Sequence, residues 1–157
     1  MKAISNAASW RRLCVVAALL GNALFAIAAE GMSTPVGVWR IVDETGDPKA
    51  LITITENDGE YVGALTRSLG RSDALERRCN DCTDWRRGKK LQGLQIIRGL
   101  HKDPESDEYT GGRILDPDSG SEYGCKMRVV DGGRKLEVRG YFGVTLLGRT
   151  QTWIREQ

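Results

Sequence analysis

Apolar and polar residues alternate along most of this chain in short runs, and turn-forming residues separate the runs. In ALITITE (Ala50–Glu56), Ile52 and Ile54 alternate with Thr53 and Thr55, the period of two that marks a half-buried strand. Asn57-Asp58-Gly59 follows, and such residues readily take the positive φ values of a tight hairpin. EYVGALTRSL (Glu60–Leu69) answers as the partner strand, and GVWRIV (Gly37–Val42) precedes the pair. Five further runs follow: LQIIRGLHK (Leu94–Lys102), EYTGGRILD (Glu108–Asp116), SEYGCKMRVVD (Ser121–Asp131), RKLEVRGYF (Arg134–Phe142) and RTQTWIRE (Arg149–Glu156). Segments such as DPESDE, DPDSG, DGG and GVTLLG separate them. The pattern predicts about eight strands with hairpin connections and no amphipathic helix beyond the leader.

Sequential hairpins make an antiparallel meander, and a long meander must hide its two edges. Closing on itself does so. The expected fold is therefore all-β, an antiparallel up-and-down barrel of about eight strands, with a two-sheet sandwich as the alternative. Eight strands enclose an interior that side chains fill or that holds one small ligand. Gly63, Gly99, Gly111, Gly112 and Gly140 fall inside strand patterns, where bulges and bends need them. Between the third and fourth strands, Gly70–Lys90 loses the alternation and predicts a long loop or a short helix.

The N-terminus changes the picture of where this barrel works. Lys2, Arg11 and Arg12 precede an uncharged apolar run, Leu13–Ala29, that ends in Ala26-Ile27-Ala28. Positive flank, apolar run and small-x-small site together read as an export signal. The expected organisation is a cleaved signal peptide at 1–28 and a single barrel domain at 29–157. A periplasmic or secreted protein with no stable membrane span after cleavage follows. The whole chain carries 23 basic and 21 acidic residues. Cleavage removes three basic residues and no acidic ones, which leaves 20 against 21 and a net charge of −1. Such a chain lacks the sustained positive charge that nucleic-acid binding needs.

Three cysteines remain after cleavage: Cys79, Cys82 and Cys125. An oxidising compartment favours one disulfide and leaves one thiol over. Cys79-Asn-Asp-Cys82 sits among Arg77, Arg78, Arg86 and Arg87, so three readings arise. A structural staple closes Cys79 to Cys82, or takes one of them to Cys125. A redox pair would use the arginines to lower a thiol pKa, yet it lacks the strand-to-helix setting such pairs occupy. A Cys₃His zinc site would need His101 as well. The staple is the expected reading, with no metal and no cofactor.

Two stretches resemble the calycin group of lipocalin-like barrels. Gly37-Val38-Trp39 matches its G-x-W, and TWIR (Thr152–Arg155) ends the last strand with an arginine. The resemblance implies that Arg155 lies over Trp39 and closes the barrel floor. CTDWRRGKKLQGLQIIRGL, GGRILDPDSGSEYGCKMRV and LEVRGYFGVTLLGRTQTWIR are similar to the linked motifs of the secreted bacterial domain-of-unknown-function family DUF2147, over Pro35 to Arg155. The C-x-x-C before the fourth strand resembles one subgroup. Membership implies export and a lipocalin-like barrel, and implies no activity.

The residues offer no catalytic constellation. His101 is the single histidine and sits where a strand meets a turn; no G-x-S-x-G elbow and no P-loop occur. Asp116, Asp118 and Glu122 alternate in DPDSGSE without the remaining ligands of a calcium loop. Three function classes stay open. The first is a binding module for a small apolar or anionic amphipathic ligand, with Ile52, Ile54, Met127, Val129, Leu136 and Val138 as lumen or core candidates. Arg98 and Arg113 share face parity with apolar neighbours. If they point inward they need an anionic partner, and if bulges shift the parity they face water, which is the expected case. The second class is a non-catalytic envelope interaction protein with a filled core, using Gly143–Gly148 as a contact; that loop is expected to cap a barrel end. The third is a thiol-disulfide protein acting through Cys79 and Cys82.

Overall fold

A computed structural model of the chain describes residues 33–69 and 76–156. The export signal expected at 1–28 lies outside the described residues, as does Cys14. Eight strands follow in chain order: β1 (Gly37–Val42), β2 (Pro48–Asn57), β3 (Glu60–Ser68), β4 (Leu94–Lys102), β5 (Glu108–Asp116), β6 (Ser121–Val130), β7 (Lys135–Tyr141) and β8 (Gly148–Arg155). Each pairs antiparallel with the next, and β8 returns to β1 through Trp39 opposite Arg155 and Arg40 opposite Ile154. The sheet is a closed barrel, not a sandwich. The β2–β3 hairpin turns at Asp58 (φ 51) and Gly59 (φ 82), the two positive-φ residues that a twist-matching tight turn demands.

Antiparallel neighbours alternate direction, so the hairpin turns collect at two ends with different character. At one end Trp39 is fully buried, and its Nε1 donates to the Pro35 carbonyl at 2.7 Å. The Arg155 guanidinium carbon lies 4.2 Å from the Trp39 ring centroid. Arg155 donates to the carbonyls of Gly133 (2.6 Å), Val36 (2.8 Å) and Thr34 (2.6 Å). This end is a floor. Above it Ile52, Ile54, Leu100, Met127 and Leu136 are buried within the core cluster. Tyr61 and Tyr109 meet edge to face at 4.7 Å between ring centroids. Burial, then the neighbouring Tyr61, pushes the Tyr109 hydroxyl up to about 12.

Strict alternation fails in β4 and β5. Ile96 and Ile97 are consecutive and both buried, and Arg98 is exposed. The β3–β4 register shifts on either side of Gly63, and Gly99 takes φ 70. In β5 the register with β6 shifts between Tyr109 and Gly112, Gly111 takes φ 81, and Arg113 is exposed. Arg98 and Arg113 therefore face water, the expected one of the two cases, and are not lumen residues. The bulges turn both outward, and Arg98 pairs with Glu122 at 2.7 Å instead of a ligand.

The loop between β3 and β4 contains no helix among its described residues. Its backbone folds back through a single bridge, Arg78 to Lys90, and Cys79 and Cys82 form a disulfide with Cα atoms 5.4 Å apart. Both are buried, at 0 and 2 % exposure. Gly120, in the β5–β6 turn, has φ 68, and a Cβ there would stand 2.1 Å from the Asp81 carbonyl oxygen. Only glycine permits this approach, which seats the turn against the disulfide ring.

Candidate functional site

Opposite the floor, the barrel opens into a cavity of about 900 Å³. Its apolar wall combines inward residues of several strands, among them Ile41, Ala50, Leu65, Ile96, Leu115 and Val138, with Trp153. Trp153 is 1 % exposed, and its Nε1 donates to Gln151 Oε1 at 3.1 Å, which satisfies its one polar group. The rim is charged. Lys49, Arg77 and Arg149 line it, with Asp116 and Asp118. Each cation holds a carboxylate: Lys49 binds Asp43 at 2.7 Å, Arg149 binds Glu44 at 2.7 Å, and Arg77 binds Asp118. Hydrogen bonds from Lys49, then Thr45, hold the Asp43 carboxyl well below the usual range. Side chains of Lys49 and Arg149 are 54 and 71 % exposed, so solvent screens these pairs and they exchange partners at little cost.

The sequence candidates divide between this cavity and the packed core. Val138 lines the cavity. Ile52, Ile54, Met127 and Leu136 lie in the packed core, and Val129 is partly buried against it. Alternation picks out inward residues but not how far along the barrel the packing runs, so it missed most of the cavity wall. The rim cations were missed for another reason. They come from strand ends and the long loop, where no period exists to read.

Cys125 is fully buried and free, and burial alone pushes its thiol up to about 12. It takes no part in the disulfide, so of the two staple pairings the small ring forms. With both sulfur-bearing residues buried, the ring offers no exposed thiolate position for exchange. His101 Nδ1 lies 2.9 Å from the Gly59 carbonyl, an exposed contact from β4 to the β2–β3 turn. Asp116 accepts from the Asp118 amide (3.0 Å) and the Ser119 hydroxyl (2.9 Å), so its carboxylate shapes the turn. Among the described residues no three acidic, histidine or cysteine side chains converge as a metal site.

An ion network fastens the long loop to the barrel wall. Arg86 is 1 % exposed and donates to Asp84, to Glu122 Oε1 at 2.6 Å and to the Gln95 carbonyl at 3.3 Å. Hydrogen bonds from Arg86 hold the Asp84 carboxyl below its ordinary range. Burial raises Glu122, but hydrogen bonds from Arg98 and Arg86 outweigh it and the net direction is down. Lowered carboxylate pKa values contribute stability above the unfolded-state value and lose it as pH falls through the folded values. Arg86→Met is therefore expected to cost about 2–3 kcal/mol near neutral pH, below the full cost of a broken buried pair because Asp84 and Glu122 are partly solvated. The loss should shrink on acidification below about pH 4, where the wild type forfeits the same interactions. Urea midpoints of both proteins across that range check it; parallel acid limbs would show the network to be inert.

The family described as "Uncharacterized protein conserved in bacteria (DUF2147)" matches residues 37–155, which spans all eight strands. The chain belongs to this family. A solved structure titled "Protein HP1028 from the human pathogen Helicobacter pylori belongs to the lipocalin family" superimposes with a TM-score of 0.66 at 18 % identity, covering 78 % of this chain and 82 % of that one. At that identity the likeness concerns the fold: this DUF2147 member is a lipocalin-like barrel. No curated protein matches the sequence. No helix among the described residues is long and apolar enough to cross a membrane.

Proposed function

We propose that this DUF2147 barrel binds one small hydrophobic or amphipathic molecule in the cavity at its open end, and does so as an exported protein. The observation that carries the reading is the cavity itself. At about 900 Å³ it falls within the roughly 300–1,000 Å³ of small-molecule sites, and its depth is apolar while its rim is charged. An apolar chain would rest against Leu65, Ile96, Leu115 and Trp153. A head group would meet Lys49, Arg77 and Arg149, which favours an anion able to displace Asp43, Asp118 or Glu44 from them. The lipocalin-like fold supports this reading, since barrels of eight strands can hold one small ligand. Export rests on the leader pattern in the sequence.

Native mass spectrometry of protein expressed with its leader and purified without detergent tests both parts. The expected native mass exceeds the denatured mass by that of one lipid-like molecule, and the denatured mass lacks residues 1–28. A native mass equal to the denatured one, unchanged after incubation with fatty acids, would overturn ligand carriage. Retention of the leader would overturn export.

A further inference from the structure

We propose that the β7–β8 loop is a membrane-contact tip, which seats the open end of the barrel on a bilayer containing anionic lipid. Six large hydrophobic side chains are exposed among the described residues, and four of them fall in this one loop: Phe142 at 74 %, Val144 at 58 %, Leu146 at 87 % and Leu147 at 67 %. The expectation that Gly143–Gly148 caps the barrel is thereby corrected, because Val144, Leu146 and Leu147 are exposed and not buried against the barrel end.

The loop is held in that pose. The Phe142 amide donates to the Leu147 carbonyl at 2.9 Å, and the Leu147 amide to the Val144 carbonyl at 3.0 Å. Arg139 reaches in from β7 and donates to the carbonyls of Thr145 (2.8 Å) and Leu146 (3.2 Å) and to the Thr150 hydroxyl (3.0 Å). Most of the loop's carbonyls, those of Phe142, Val144, Thr145, Leu146 and Leu147, are thus already bonded, which lowers the cost of bringing them to lipid.

Charge selects the occupant. Arg139–Arg149 (RGYFGVTLLGR) contains two arginines and no acidic residue; Arg149 pairs with Glu44 of the β1–β2 turn at 2.7 Å, an exposed contact that a lipid phosphate can displace. The guanidinium of Arg139 is engaged by carbonyls and a hydroxyl, not by a carboxylate, so its charge is not neutralised there. An apolar tip above a cationic base complements an anionic lipid interface, where the side chains enter the acyl boundary and the base meets phosphates. Continuity points the same way, since Phe142 and Leu147 also line the cavity mouth. A docked barrel would open its cavity onto the lipid. That consequence rests on the ligand reading above, whereas the docking does not.

Hydrogen exchange of the full chain with phosphatidylcholine vesicles, with and without phosphatidylglycerol, tests the docking. Because Leu13–Ala29 is itself apolar, the readout is local: exchange at 142–147, not total vesicle binding. Anionic vesicles are expected to slow exchange there by about tenfold or more while strand amides stay unchanged. Val144→Asp with Leu146→Asp, neither in the cavity wall, should abolish this protection and leave the exchange of β1–β8 as in the wild type. Absence of loop protection on anionic vesicles would overturn the proposal, as would equal protection on neutral ones. Protection that needs no vesicles and grows with protein concentration would assign the tip to a second copy and overturn it too. A bare native mass combined with loop protection would remove the ligand and keep the docking.

Discussion

Trp39→Ala is expected to lower the unfolding free energy by about 4 kcal/mol, with Arg155→Ala costing about 2–3 kcal/mol. Trp39 is fully buried, so its removal loses the transfer energy of an indole and leaves a cavity that the barrel floor cannot collapse to fill. Arg155 acts differently. Its guanidinium joins the segment ahead of β1, through Thr34 and Val36, to Gly133 in the β6–β7 turn. Without it three carbonyls lose their donor. The Arg155 guanidinium carbon also lies over the Trp39 ring, 4.2 Å from its centroid, a cation–π contact that contributes on the order of 1–2 kcal/mol when partly desolvated. A double-mutant cycle followed by circular dichroism in urea should therefore show a coupling of about 1 kcal/mol or more. Additive losses would mean that the two residues stabilise the floor independently.

The second large effect concerns affinity. Ala50→Trp sets an indole into the cavity from β2, where the native methyl group leaves the space open. Binding of a fatty-acid probe is expected to weaken by about tenfold to a hundredfold, with stability lowered by about 1–3 kcal/mol because Ala50 also belongs to the buried core cluster. Arg149→Glu gives a complementary result. It places a carboxylate at the rim beside Glu44, so affinity for an anionic probe should fall by about tenfold while an uncharged analogue binds as before. Equal losses for both probes would sink the head-group assignment. Unchanged binding in Ala50→Trp would place the ligand elsewhere. Titration by isothermal calorimetry reads both.

The strands were legible because each obeys a simple rule. GVWRIV, LQIIRGLHK and EYTGGRILD coincide with β1, β4 and β5, and the other runs differ by a few residues at their ends. Some of those ends lie where Pro48-Lys49 extends β2 and where a 3₁₀ turn at Asp131–Gly133 forms the β6–β7 connection. Facing was harder to read than pairing. A glycine at positive φ resets which side of the sheet the next residue takes, and Gly99 and Gly111 do so within β4 and β5. Residue identity alone shows that such a reset is available, not that it occurs. The GVTLLG loop illustrates another limit. Its apolar residues suit a buried cap as well as an exposed tip, and the choice depends on Arg139, which bonds the loop from a neighbouring strand. Arg86 is the clearest omission. A cationic residue in a charge-rich stretch gives no sign that Asp84 and the distant Glu122 enclose it.

The disulfide spans a sequence separation of 3, which limits how far it can restrict the unfolded chain. A bridge to Cys125 would have closed a loop of about 45 residues and contributed roughly 4 kcal/mol by restricting the unfolded chain. The small ring restricts it by only about 2 kcal/mol on the same estimate. Strand pairing between neighbours needs no help from such a bond. The small ring therefore acts locally: it shapes the loop that the β5–β6 turn packs against at Gly120 and Asp81.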